Sequence, residues 1–141
     1  MRCSSNRLSR LKIFTSEDAA AVDVVCEAAG EGFRIDGTYR YVPDGHTAQL
    51  LIVAARAAGS RGEEGVSLFL LPADTAGVSR QWLPTMDQAR KQAAVQLDNV
   101  SIGAQALMGE AGQGWKPLAQ VLDLAAIALA GFTFEATRLE L

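Results

Sequence analysis

Cysteine is scarce in this 141-residue chain and histidine occurs once. Cys3 and Cys26 have no metal-ligand spacing, and two cysteines in a chain of this size imply no disulfide framework. His46 has neither cysteine near it in sequence, and no motif ties a serine or aspartate to it, so nothing points to a catalytic triad or a zinc site. It follows a turn, and an exposed loop position is expected. An excess of basic charge is also missing. Thirteen Lys and Arg stand against sixteen Asp and Glu, a net charge of −3, which argues against a broad nucleic-acid surface. No uninterrupted apolar run is long enough for a membrane span, because the most apolar segment is broken by Asp123 and begins at Lys116. The opening MRCSSNRLSRLKIF lacks the apolar core of a secretory signal. No internal repeat is visible. These absences lead us to expect a cytosolic protein.

What is present is ordinary in bulk and uneven in detail. Hydrophobic residues make up 49% and charged residues 21%, as in a globular domain able to bury a core. Arg2, Arg7, Arg10 and Lys12 precede the first acidic residue, while the rest of the chain is acidic. Residues 1–20 therefore read as a basic, poorly ordered tail. Its Arg- and Ser-rich character has a weak likeness to a mitochondrial presequence, but it is very short, and a frayed terminus is the simpler reading.

After the tail, Ala21 to Ala28 is β-prone. In Gly32 to Val42, Phe33 and Ile35 alternate with polar residues, Asp36-Gly37 follows, and Tyr39 and Tyr41 alternate again, which predicts a hairpin turning at Asp36-Gly37. Pro43-Asp44-Gly45 ends that segment. The apolar runs Gln49 to Ala55 and Val66 to Leu71 predict strands buried on both faces. Val78 to Leu83 reads as another strand, Met86 to Gln92 as a polar connection, and Ala93 to Ile102 as a strand interrupted at Asp98-Asn99. Gly109, Gly112 and Gly114 mark a loop, after which Leu118, Val121, Leu122, Ala125 and Leu129 recur at helical spacing. The expected fold is mainly β, an open antiparallel barrel or sandwich of about six strands followed by one long C-terminal helix. Residues 21–112 are expected to form the β domain. Residues 113–141 read as the first helix of a separate, otherwise absent helical unit.

Few residues carry chemistry by themselves. The glycine loop could cradle a phosphate at a helix N-terminus, but it lacks the ordered fingerprints and a βαβ context, so a simple interdomain turn is favoured. Tyr39 and Tyr41, two apart, are expected on one side of their strand, where core packing is favoured over a cofactor wall. Trp115 reads as a packing anchor, and Asp87, Arg90 and Lys91 as a surface cluster. Chemistry read from the residues alone stops at a β domain without a complete active site.

The segments GFRIDGTYRYVPDGHTAQLLIVAAR, GVSLFLLPADTAGVS, LPTMDQAR, VQLDNVSIGAQALMGEAGQGW and LAQVLDLAAIALA follow one another between residues 32 and 130. In this collinear order they resemble the middle β domain of the acyl-CoA dehydrogenase family. The resemblance implies an FAD-dependent oxidoreductase that desaturates an acyl-CoA thioester between its α and β carbons. In that chemistry a carboxylate base takes the α-proton and the flavin accepts hydride. It also implies an acyl-CoA substrate and a flavin held between the β domain and a C-terminal four-helix domain.

The family's aromatic–aliphatic–Thr/Ser flavin motif falls on Tyr41, Val42 and Pro43. By this resemblance Tyr41 would flank the isoalloxazine ring and the Val42 backbone would hydrogen-bond it. Pro43 has neither hydroxyl nor N–H, so the expected polar contact is lost there. No counterpart of the family's upstream flavin- and substrate-contacting loop is visible in residues 1–31. The family's catalytic carboxylate would lie past Leu141, and neither Glu135 nor Glu140 corresponds to it, so no catalytic residue is assigned. The chain is accordingly expected to be a truncated, split or degenerate member, inactive alone. Its helix would need a homo-oligomer, another chain or a fold back onto the barrel. The alternative is a non-catalytic binding or interaction module built on a dehydrogenase barrel, or a gene fragment without a role of its own.

Overall fold

A computed structural model describes residues 11–14, 19–86 and 91–138 of the chain. Among the described residues eight strands form one sheet: β1 (Leu11–Phe14), β2 (Val25–Ala29), β3 (Gly32–Pro43), β4 (Leu50–Ala57), β5 (Val66–Pro72), β6 (Val78–Leu83), β7 (Gln92–Gly103) and β8 (Leu107–Met108). A long helix, α1 (Trp115–Arg138), follows. The strand order is β6-β7-β3-β2-β4-β5-β8, with β1 on the edge of β4. That edge is shared: β1 runs parallel to Leu50–Val53, and β2 runs parallel to Arg56 and Ala57. Within the stretch read as a tail, Leu11–Phe14 thus forms a strand. Residues 1–10 lie outside the described residues, as do positions 87–90 of the expected surface cluster.

The apolar runs behave as their composition requires. β4 and β5 pair antiparallel from Leu50↔Pro72 to Arg56↔Val66 and are buried on both faces. On one face Leu51, Val53, Phe69 and Leu71 meet Ile35, Val95, Leu97 and Val100 from β3 and β7, closing the main core. Phe33 and Phe69 pack edge to face there, with ring centroids 5.1 Å apart. The other face, bearing Ala54, Val66 and Leu68, is covered by Trp115 and Leu118 of α1 and by Ala19 and Val22. Because β6 and β8 do not pair with each other, the sheet stays open and packs as a sandwich.

The expected hairpin at Asp36-Gly37 does not form. β3 runs unbroken from Gly32 to Pro43 because β7 offers a partner along its whole length, from Gly32↔Gly103 to Pro43↔Gln92. The tight turn lies earlier, at Gly30-Glu31, between Ala29 and Gly32 of the β2–β3 pair. Gly37 instead sits at an irregularity in β3, where a side chain would meet the Val24 backbone at 2.9 Å. The interruption at Asp98-Asn99 is the other half of that irregularity. Ile35 faces Val100 but Gly37 faces Leu97, so β7 carries one extra residue, and Asn99 adopts a left-handed φ of 51°.

Helix α1 spans about 36 Å at 1.5 Å per residue, and among its described side chains those packed on the sheet lie at its start. Trp115 and Leu118 are buried, and Ala119 and Leu122 pack beside them. Leu124, Ile127 and Leu129 are each about two-thirds exposed. Among the described residues no helix is long and apolar enough to cross a membrane.

Candidate functional site

A second bulge in β3 builds the most distinctive surface of the molecule. Tyr39 faces Val95 and Val42 faces Ala93, so here β3 carries the extra residue. The two irregularities are opposite in sense, and the strands regain their original register at Val42. Between them Tyr41 takes a φ of 60°, a conformation that a bulky residue rarely adopts. The bulge separates the two tyrosines expected on one side. Tyr39 is half-buried and donates its hydroxyl to the Ala54 carbonyl, whereas Tyr41 is 64% exposed.

Tyr41 stands beside a cavity of about 510 Å³ on the outer face of β6, β7 and β3. The cross-strand register lays out its floor. Ser79, Gln96 and Thr38 form one row, and Gln81 and Ala94 with the bulged Arg40 and Tyr41 form the next. Leu83, Pro84 and Thr85 close one end. Among the described lining residues Arg40 is the one cationic group, and none is a carboxylate.

The three positions singled out from sequence do not share this surface. Tyr41 lines the cavity. The Val42 side chain is in the main core, where it packs near Gly45. Pro43 is exposed at the strand end opposite Gln92, and is not among the cavity-lining residues. Arg40, Thr38, Ser79, Gln81 and Gln96 were not singled out. Their outward alternation was legible, but their meeting depends on the register of three strands far apart in sequence.

The interior holds polar groups of its own. Burial pushes the Tyr39 phenol well above the usual range, with the nearby Cys26 thiol adding to the effect. Burial also raises Cys26, against a hydrogen bond with Ser67 that lowers it. Ser67 Oγ in turn accepts the Gly112 N–H at 2.8 Å, and Gly114 donates its N–H to the Val66 carbonyl at 2.7 Å. These donors of the glycine loop are therefore spent on β5 rather than presented to a phosphate, in keeping with a turn. Gly114 also lets α1 approach closely, since a side chain there would meet Leu68 at 2.9 Å. His46, expected to be exposed, is half-buried in a 3-10 turn (Gly45–Thr47), and its Nδ1 is buried without a partner. Arg80 braces that turn by donating to the carbonyls of His46, at 3.3 Å, and Ala48, at 2.6 Å. Among the described residues no three His, Cys, Asp or Glu side chains converge as a metal site would require.

Residues 15–100 match the model of the acyl-CoA dehydrogenase middle domain. The chain belongs to the acyl-CoA dehydrogenase family. An acyl-CoA dehydrogenase of Alternaria alternata is 34% identical over 107 residues, covering 75% of this chain and 24% of that relative. The acyl-CoA dehydrogenase of Geobacillus kaustophilus shares the fold at a TM-score of 0.71 and 23% identity, over 78% of this chain and 31% of that one. A glutaryl-CoA dehydrogenase of Mycobacterium smegmatis, solved with FADH2, superposes at a TM-score of 0.66 and 22% identity, over 77% of this chain and 29% of that one. The chain spans about a quarter of the length of the curated acyl-CoA dehydrogenases it matches.

Proposed function

We propose that this chain supplies the middle β domain and first C-terminal helix of an FAD-dependent oxidoreductase acting on acyl-CoA thioesters, and that it is inactive without the remaining helices. The observation that carries the reading is Tyr41, an aromatic side chain exposed at the rim of a cavity large enough for a planar ligand. Bound there, a flavin would supply the electron acceptor for oxidising the substrate carbons. The chain's own part is to orient it: Tyr41 against the ring, the Val42 backbone as a hydrogen-bonding edge, and Pro43 shaping the strand end without donating. The fit is therefore complete for stacking and incomplete for polar contact. In this reading residues 21–112 are the β domain. The exposed apolar side of α1 seats against the further helices of the same domain, consistent with an apolar surface of that extent.

Pro43 favours a second reading, a binding module that keeps the dehydrogenase fold without its redox role. Titration with FAD, followed by quenching of flavin fluorescence, separates the two. The oxidoreductase reading expects saturable quenching that is lost in Tyr41→Gly, a substitution that suits the left-handed backbone and so removes only the ring. No quenching in the parent chain would leave the binding-module reading standing.

A further inference from the structure

Arg40 and Tyr41 are neighbours in sequence, and on a regular strand their side chains would point to opposite faces. The bulge brings both to the same cavity. The Arg40 guanidinium is exposed and makes no hydrogen bond or ion pair with any described residue, whereas Arg56 and Arg80 are engaged with backbone carbonyls. The remaining polar lining groups among the described residues are neutral: the hydroxyls of Thr38, Ser79 and Thr85 and the amides of Gln81 and Gln96. A chain of net charge −3 thus presents a local cation beside an aromatic ring and a floor of hydroxyls and amides. That combination suits a ligand with a flat ring, a hydroxylated middle and an anionic end.

We propose that Arg40 recognises the flavin's ribityl-linked phosphate while Tyr41 holds the ring, making the cavity selective for phosphorylated over unphosphorylated flavin. The inference rests on the flavin reading above and adds a specificity-determining residue to it. A guanidinium presents two parallel donors to phosphate oxygens, which an ammonium cannot match. The neutral floor then serves the ribityl hydroxyls.

The test titrates the chain with flavin mononucleotide and with riboflavin, at low salt and at about 0.5 M salt, where exposed charge pairs are screened. A charge-assisted contact predicts about ten-fold tighter binding of the mononucleotide at low salt, shrinking at high salt. Arg40→Gln should erase that advantage, costing the mononucleotide far more affinity than riboflavin, and Arg40→Lys should keep part of it. Arg40 is exposed, so the fold should survive both changes, as circular dichroism will verify. Equal affinity for the two ligands, or an equal loss of both in Arg40→Gln, overturns the role of Arg40 while leaving the flavin reading intact. Binding of neither ligand overturns the flavin reading and this inference with it.

Discussion

The Asp36 carboxylate accepts the backbone N–H of Asn99 at 3.1 Å, across the β3–β7 pair. It thereby holds the first of the two opposed bulges, whose N–H has lost its place in the strand ladder. Because the second bulge undoes the offset of the first, this contact bears on the placing of Arg40 and Tyr41 further along the same strand.

Asp36→Ala is expected to destabilise the chain by about 1 kcal/mol, the usual net worth of such a hydrogen bond at an exposed site where water replaces the lost acceptor. Asp36→Asn, which retains an acceptor oxygen, should recover most of it. Urea denaturation midpoints at constant slope check both values.

Arg56 is the structural counterpart of Arg40. Buried on β4, it donates through Nε to the Val22 carbonyl at 3.3 Å, through Nη1 to Glu64 O at 3.2 Å, and through Nη2 to Gly62 O at 2.8 Å and to Ala19 O. It fastens both the segment before β2 and the β4–β5 loop. Arg56→Lys cannot reproduce that fork and should cost about 2–4 kcal/mol by leaving buried carbonyls unsatisfied. Faster proteolysis within residues 58–65 would accompany the loss, read by limited digestion and mass spectrometry.

Stability should fall in alkali. Tyr39 and Cys26 both have folded-state pKa values raised by burial, so their neutral forms are favoured in the fold. The unfolded chain releases these protons first, beginning near pH 9 for the thiol and pH 10 for the phenol. Their contribution is complete below that window and is lost as pH rises through it, at about 1.4 kcal/mol per pH unit for each ionising group. Denaturation midpoints at pH 7, 9 and 10.5 measure the slope, which Tyr39→Phe should flatten. An unchanged slope in that variant would show that the phenol is not the group responsible.

Much of the fold was legible because its causes are local or compositional. The continuous apolar runs at Gln49–Ala55 and Val66–Leu71 named the two strands buried on both faces, and the glycines before Trp115 named the loop that lets α1 against them. Asp98-Asn99 announced an interruption, which proved to be a bulge. Asp36-Gly37 misled because a hairpin and a bulged strand share the same local chemistry. Only the presence of β7 as a partner decides between them.

The candidate site shows the same division. Tyr41 was visible as an aromatic at a motif position, and the succession of segments already carried the family. Neither the exposure of Tyr41 nor the company of Arg40 could be read from spacing, since period-two alternation assigns the two residues to opposite faces. The sequence by itself determined which segments are apolar enough to be strands, where the helix begins and which family the chain resembles. The tertiary structure alone decided which side chains meet in the cavity. The physical reason is that a bulge belongs to the register of two strands, and the partner of Arg40 and Tyr41 lies more than fifty residues away at Ala94.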